Sequence, residues 1–179
     1  NGFACAALTG RGDIMRLGGL EPENKPKMFL LSTTHGAESS GLAAMMKTLS
    51  LYKKENFLEH NWSTGQELRI RLNKVVAQYD LSDHMRISGY ASMMLLEIIN
   101  LPVELLNKYK TFFMQEMLAN GVLLQGLLIL TPSHGTEEIK ATEIAFDRAC
   151  CAFLECLKKK SIKDKLVGPE IKPVFRKLN

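Results

Sequence analysis

Residues 32–44 read STTHGAESSGLAA, a cluster of hydroxyls with one imidazole and a glycine that runs straight into an alanine-rich stretch. A helix N-terminus carries unpaired backbone N–H groups and roughly half a unit of positive charge, so a phosphoryl group binds there readily. The hydroxyls of Ser32, Thr33 and Thr34 would add donors, and Gly36 would let the backbone approach a bulky anion closely. Serine and threonine are also preferred helix caps. On these residues alone, capping is the commoner role and anion binding the alternative.

His134, in TPSHGTEEI, stands just before another helical pattern. A loop histidine could ligate a metal, shuttle a proton or bond a backbone carbonyl. No second His or Cys follows at metal-ligand spacing, which favours a structural role. Arg86 and Arg176 could each clamp a carboxylate, although surface pairing is the commoner fate. The sequence holds no Ser-His-Asp grouping, no paired-carboxylate motif and no glycine-rich phosphate loop after a strand. From the residues themselves, the chemistry stops at a candidate anion site.

The elements that would position these groups follow from hydropathy and turn residues. FACAALTG at 3–10 has the continuous apolar character of a short buried strand; Gly10 and Gly12 break it before a helical turn around Asp13 to Leu17, stopped by Gly18 and Gly19. A polar, two-proline loop leads to MFLLS at 28–32, read as another strand. From Glu38 to about Asn56, Leu42, Met45, Met46, Leu49 and Tyr52 recur at helical spacing. A second helix from about Phe57 to Tyr79 would bury Trp62, Leu68, Leu72, Val75 and Val76, and the two would make a helical pair. RISGY and SMMLLEII suggest two strands in a hairpin or meander, Pro102 opens a helix that Gly121 closes, and strand character resumes at 122–130. Thr136 starts the last helix, whose apolar face is Ile139, Ile144, Phe146, Ala149, Phe153 and Leu157. The sum is an α/β arrangement with a small helix-covered sheet.

Composition bounds the rest. The 179 residues, 46% of them hydrophobic, suit a globular chain, and runs such as GVLLQGLLIL are about half the length of a membrane span. No secretory leader is evident, and the opening NGFACAALTG reads like the interior of a domain entered midway, so a fragment is expected. Cys5, Cys150, Cys151 and Cys156 form no C-x-x-C pair, which points to reduced, buried thiols and a cytoplasmic setting. The net charge of +4 arises visibly from the Lys158–Lys165 run with Lys172, Arg176 and Lys177, without the interleaved aromatics of a nucleic-acid face. Neither nucleic acid nor membrane is expected as a partner. Arg11-Gly12-Asp13 spells an adhesion tripeptide and is read as chance.

The order of several stretches carries a resemblance. NGFACAALTGRGDIMRLGG, FLLSTTHGAESSGLAAMMKTL, MLANGVLL, SHGTEEI and VGPEIKPVFRKLN together resemble the C-terminal part of class III pyridoxal-phosphate aminotransferases, nearest to glutamate-1-semialdehyde aminomutase-like members. The resemblance implies the aspartate aminotransferase-like, fold type I architecture, with residues 1–56 as the end of the large cofactor-binding domain and an interdomain helix, and 57–179 as a small C-terminal α/β domain. It implies pyridoxal 5'-phosphate (PLP) as cofactor, a homodimer, and a small-molecule amino donor and oxo acceptor as substrates. It places the Schiff-base lysine upstream of this chain. By the same resemblance Thr34 contacts the cofactor phosphate of the partner subunit, with the backbone N–H of Thr33 beside it, which tips the first ambiguity toward the anion. The family's common Asn-Pro is Glu38-Ser39 here, and the stretch from Val122 to His134 looks shorter than in true aminomutases and lacks their carboxylate-bearing loop. Transamination is therefore expected ahead of isomerisation, with a non-catalytic dimerisation domain as a further alternative.

Overall fold

The computed structural model describes residues 2–18 and 38–172. The chain divides into two compact units, Asn1–Asn56 and Phe57–Asn179.

In the first unit, Arg11 folds back on Asp13 through two hydrogen bonds, Nε to Oδ1 at 3.1 Å and Nη2 to Oδ2 at 2.7 Å, at the start of the single turn α1 (Gly12–Met15). Helix α2 (Ser39–Lys54) ends on Lys53 and Lys54, whose charges complement the negative end of the helix dipole. Residues 3–10 do not form the expected strand: they are irregular and exposed, and among the described residues no strand lies alongside them to satisfy a ladder. The strand expected at 28–32 lies outside the described residues. The helical periodicity of α2 is correct, yet Leu42, Met46, Leu49 and Tyr52 are exposed and Gly41 is its buried residue.

The second unit holds α3 (Phe57–Gln78), β1 (Met85–Tyr90), β2 (Met93–Ile98), α4 (Val103–Ala119), β3 (Leu127–Ile129) and α5 (Thr136–Lys159). The expected pairing of α2 with α3 is divided by the boundary between the units. The strands run antiparallel in the order β1-β2-β3, with Met85 opposite Ile98 and Met93 opposite both Tyr90 and Ile129. Strand alternation sends Met85, Met94, Leu96 and Ile98 into the core. There they meet α3 and α4, and α5 packs on both helices. Edge-on aromatic pairs tie α4 to α5: Tyr109 with Phe153 at 5.3 Å, and Phe113 with Phe146 and Phe153 at 5.4 and 6.0 Å. Pro102 caps α4, and Gly121, at φ 85°, closes it while the Val122 N–H donates to the Met117 carbonyl at 3.0 Å.

Three expectations change here. Trp62 is half exposed rather than buried, and Ile144 is exposed on the solvent side of α5. Of residues 122–130, Leu127–Ile129 alone is strand, because Gly126, at φ 92°, ends the pairing with its carbonyl bound to the Leu96 N–H. The cysteines also divide: Cys150 and Cys156 are buried in α5, whereas Cys5 and Cys151 are exposed.

Candidate functional site

Ser32, Thr33, Thr34 and Gly36 lie outside the described residues, as does Arg176. The described start of the adjoining helix is informative. Glu38 occupies the N-cap of α2, whose first-turn N–H groups have no acceptor within the helix. Those N–H groups suit one side of a phosphoryl group. The residues read as completing the grip, Thr33 and Thr34, precede them.

His134 is built into the loop that turns β3 into α5. The Thr131 N–H donates to its Nδ1 at 2.9 Å, with Thr131 Oγ1 3.2 Å from the same nitrogen. Nδ1 is therefore the acceptor, and in the neutral ring Nε2 carries the proton. From α3, His60 Nε2 donates to the His134 carbonyl at 3.1 Å. One residue on, the Gly135 N–H donates to Glu138 Oε2 at 2.9 Å, and this backbone bond holds the Glu138 carboxyl below the usual carboxylate range. A residue engaged at ring and carbonyl in this way fixes a turn. His134 also borders a cavity of about 270 Å³ with Leu124, Leu128, Glu138, Ile139 and Thr142.

Arg86 does clamp a carboxylate, but one of its own chain. Its Nε and Nη2 donate to the two oxygens of Glu97, both at 2.9 Å, and Ser88 Oγ adds a third bond at 2.8 Å. The guanidinium, and then the hydroxyl, draw the Glu97 carboxyl below its ordinary range. Arg71 is likewise engaged by Glu67 and Glu143. Neither arginine is left open for an incoming acid.

The concavity that sequence reasoning missed lies between α3 and the β1–β2 hairpin. Leu58, Asn61, Trp62, Tyr90, Met93 and Ile129 line a groove of about 350 Å³. Trp62 and Tyr90 meet edge-on at 5.8 Å. Asn61 is only 8% exposed, and its Oδ1 is buried without a hydrogen-bond partner. The helical stripe drew Trp62 into the expected core; strand alternation from buried Met85, which puts Tyr90 on the outer face, was the available signal.

Among the described residues no group of three His, Cys, Asp or Glu is arranged to hold a metal ion, and no helix is long and apolar enough to cross a membrane.

No protein-family model and no curated protein matches this sequence. Solved structures do. The PLP internal aldimine form of a Sphingopyxis sp. FumI protein superposes with a TM-score of 0.62 at 19% identity, over 73% of this chain and 31% of that one. An omega-transaminase from Sphaerobacter thermophilus gives 0.61 at 19% identity, over 80% of this chain and 34% of the other. The likeness is one of fold: a mixed α/β portion with a small antiparallel sheet, shared with part of each of these proteins. The chain spans about a third of the length of either solved chain.

Proposed function

We propose that this chain is part of a class III, PLP-dependent aminotransferase that moves an amino group between a small-molecule donor and an oxo acceptor. The observation that carries the reading is the fold held in common with a PLP-containing protein and an omega-transaminase over roughly three quarters of this chain. The ordered sequence resemblance, from NGFACAALTG to VGPEIKPVFRKLN, supports it independently of that superposition.

In this reading residues 1–56 finish the cofactor-binding domain and 57–179 form the small domain. Thr34, with the Thr33 N–H beside it, grips the phosphate of a PLP held by the partner subunit, next to the N–H groups at the start of α2. PLP, when bound, supplies the electron sink for moving the amino group, and the lysine that carries it belongs to a part of the enzyme outside these residues. Thr34 contributes cofactor affinity rather than chemistry. The homodimer follows the resemblance, and the cytoplasmic setting follows the cysteine pattern. Transfer is favoured over isomerisation because the stretch from Val122 to His134 is short and lacks the carboxylate-bearing loop of the aminomutases.

The test uses the complete enzyme. Purified protein is expected to carry the visible absorbance of PLP and to transfer an amino group to a 2-oxo acid; absence of both overturns the reading. Thr34→Val is expected to lose PLP faster on dialysis, with turnover restored by added cofactor. Unchanged cofactor retention would count against the role given to Thr34.

A further inference from the structure

Strand β2 outruns its neighbour. It has six residues to the three of β3, and the last bond on that side runs from the Leu96 N–H to the Gly126 carbonyl at 2.8 Å. At Gly126 the positive φ takes the chain out of the ladder. The backbone of β2 alternates in direction: the Ile99 N–H donates to the His84 carbonyl on the β1 side at 2.9 Å, so the Ile98 N–H faces the other way. An uninterrupted ladder would have brought the Leu124 carbonyl to it, and among the described residues no backbone carbonyl accepts it. Ile98 is buried, and a buried N–H without an acceptor is rare. The gap beside it is a cavity of about 230 Å³, walled by Leu96, Leu124, Phe113 and Met114 and by Ile171, whose N–H is held on Thr111 Oγ1.

A charge stands at the same place. Lys110 of α4 also lines the cavity and is half-buried. The carboxylate in its vicinity is Glu97, and both Glu97 oxygens are already taken by Arg86, with Ser88 adding a bond to one of them. Among the described residues Lys110 forms no ion pair. Two cations thus share one carboxylate, and a positive charge is left over beside apolar walls.

We propose that this cavity binds a small apolar monocarboxylate. Its carboxylate pairs with Lys110 and accepts the Ile98 N–H, and its hydrocarbon part fills the space against Phe113, Met114 and Leu124. At roughly 30 Å³ for each water-sized group, the volume admits about eight heavy atoms, which is the size of hexanoate. The single unspent cation matches a single negative charge. A second carboxylate on the ligand would be desolvated against the apolar wall without a partner. No residue given a role in cofactor binding takes part, so the inference stands apart from the proposed function.

Calorimetric titration of the purified natural gene product with hexanoate tests this, with hexylamine and adipate as probes of opposite and doubled charge. One hexanoate is expected to bind per chain, and neither of the other two. Lys110→Met keeps an apolar stem without the charge and is expected to weaken hexanoate about tenfold or more, the loss of one charge-assisted hydrogen bond, at an unchanged urea midpoint. Met114→Trp, at a half-buried position in the wall, is expected to fill the space and abolish binding. Hexanoate that does not bind, that binds no better than hexylamine or adipate, or that binds Lys110→Met as tightly as the parent overturns the proposal. The comparison of the three probes uses the unaltered protein, so it decides the matter even where a variant fails to fold.

Discussion

Gly65 of α3 sits so close to Ala91, in the two-residue turn between β1 and β2, that a methyl group in place of its hydrogen would collide with the Ala91 carbonyl. The helix and the hairpin meet backbone to backbone. One turn further along α3, Arg69 Nη2 donates to the Gly89 carbonyl at 2.6 Å and fastens the same junction. Neither backbone can retreat without moving a whole element. Gly65→Ala is therefore expected to cost about 3 kcal/mol or more, although alanine is the better helix former. Urea unfolding checks this, and an unchanged midpoint would show that α3 does not approach the turn so closely.

The Arg86–Glu97 pair predicts a loss of stability in acid. Glu97, depressed by Arg86 first and Ser88 second, has a folded pKa below its ordinary value of 4.5. A depressed carboxyl contributes stability that is fully present above the unfolded value and is lost as pH falls through the folded one. The decline is expected below about pH 4.5, and Glu97→Gln should flatten it while lowering stability modestly at neutral pH. Denaturant midpoints measured across that range decide the matter.

Thiol reactivity should divide the cysteines by position in α5. Cys150 faces the core beside Met85, and desolvation pushes its thiol well above the ordinary 9.0; burial raises Cys156 too. Iodoacetamide on the native protein is expected to modify Cys5 and Cys151 and spare the other two, as read by peptide mass. Tyr79, nearby, is pushed up to about 12, by desolvation first and then by Asp147 and Cys151. Acids with raised pKa values stabilise the fold below their unfolded values, so stability is expected to fall as pH climbs past about 9.0.

His134→Ala tests the structural role of that residue. It leaves the Thr131 N–H without its acceptor, at an expected cost of about 1 kcal/mol. Under the proposed function, amino transfer by the complete protein should be unaffected. Lost turnover at unchanged stability would move His134 into the chemistry.

Gln115 predicts a change in proteolysis. Its Nε2 donates to the Lys165 carbonyl at 3.0 Å while its Oε1 accepts the Val167 N–H at 2.9 Å, and further on the Ile171 N–H donates to Thr111 Oγ1 at 2.9 Å. These bonds lash residues 165–171 to α4. Gln115→Ala should speed tryptic cleavage at Lys163 and Lys165, and an unchanged rate would mean that the segment is held by other contacts.

Helices α3, α4 and α5 were legible because 3.6-residue spacing, Pro102, Gly121 and Thr136 all marked the same boundaries. The hairpin was legible from RISGY and SMMLLEII, although its turn falls at Ala91 and Ser92. What failed, failed for one reason: periodicity says which residues share a face, not what lies opposite. Trp62 and Ile144 belong to apolar stripes yet sit at their margins, and FACAALTG has strand composition without a neighbouring strand among the described residues. The candidate site was less legible still. Arg86 and His134 are chemically suggestive residues whose partners, Glu97 and Thr131, only the folded chain identifies.

Trp62 is the single tryptophan among the 179 residues, and it stands against Tyr90 across the seam of helix and hairpin. Its emission is thus a label the chain already carries. Parting α3 from the hairpin removes the tyrosine ring from its side, so the docking of these two elements during refolding can be timed optically, with no dye attached.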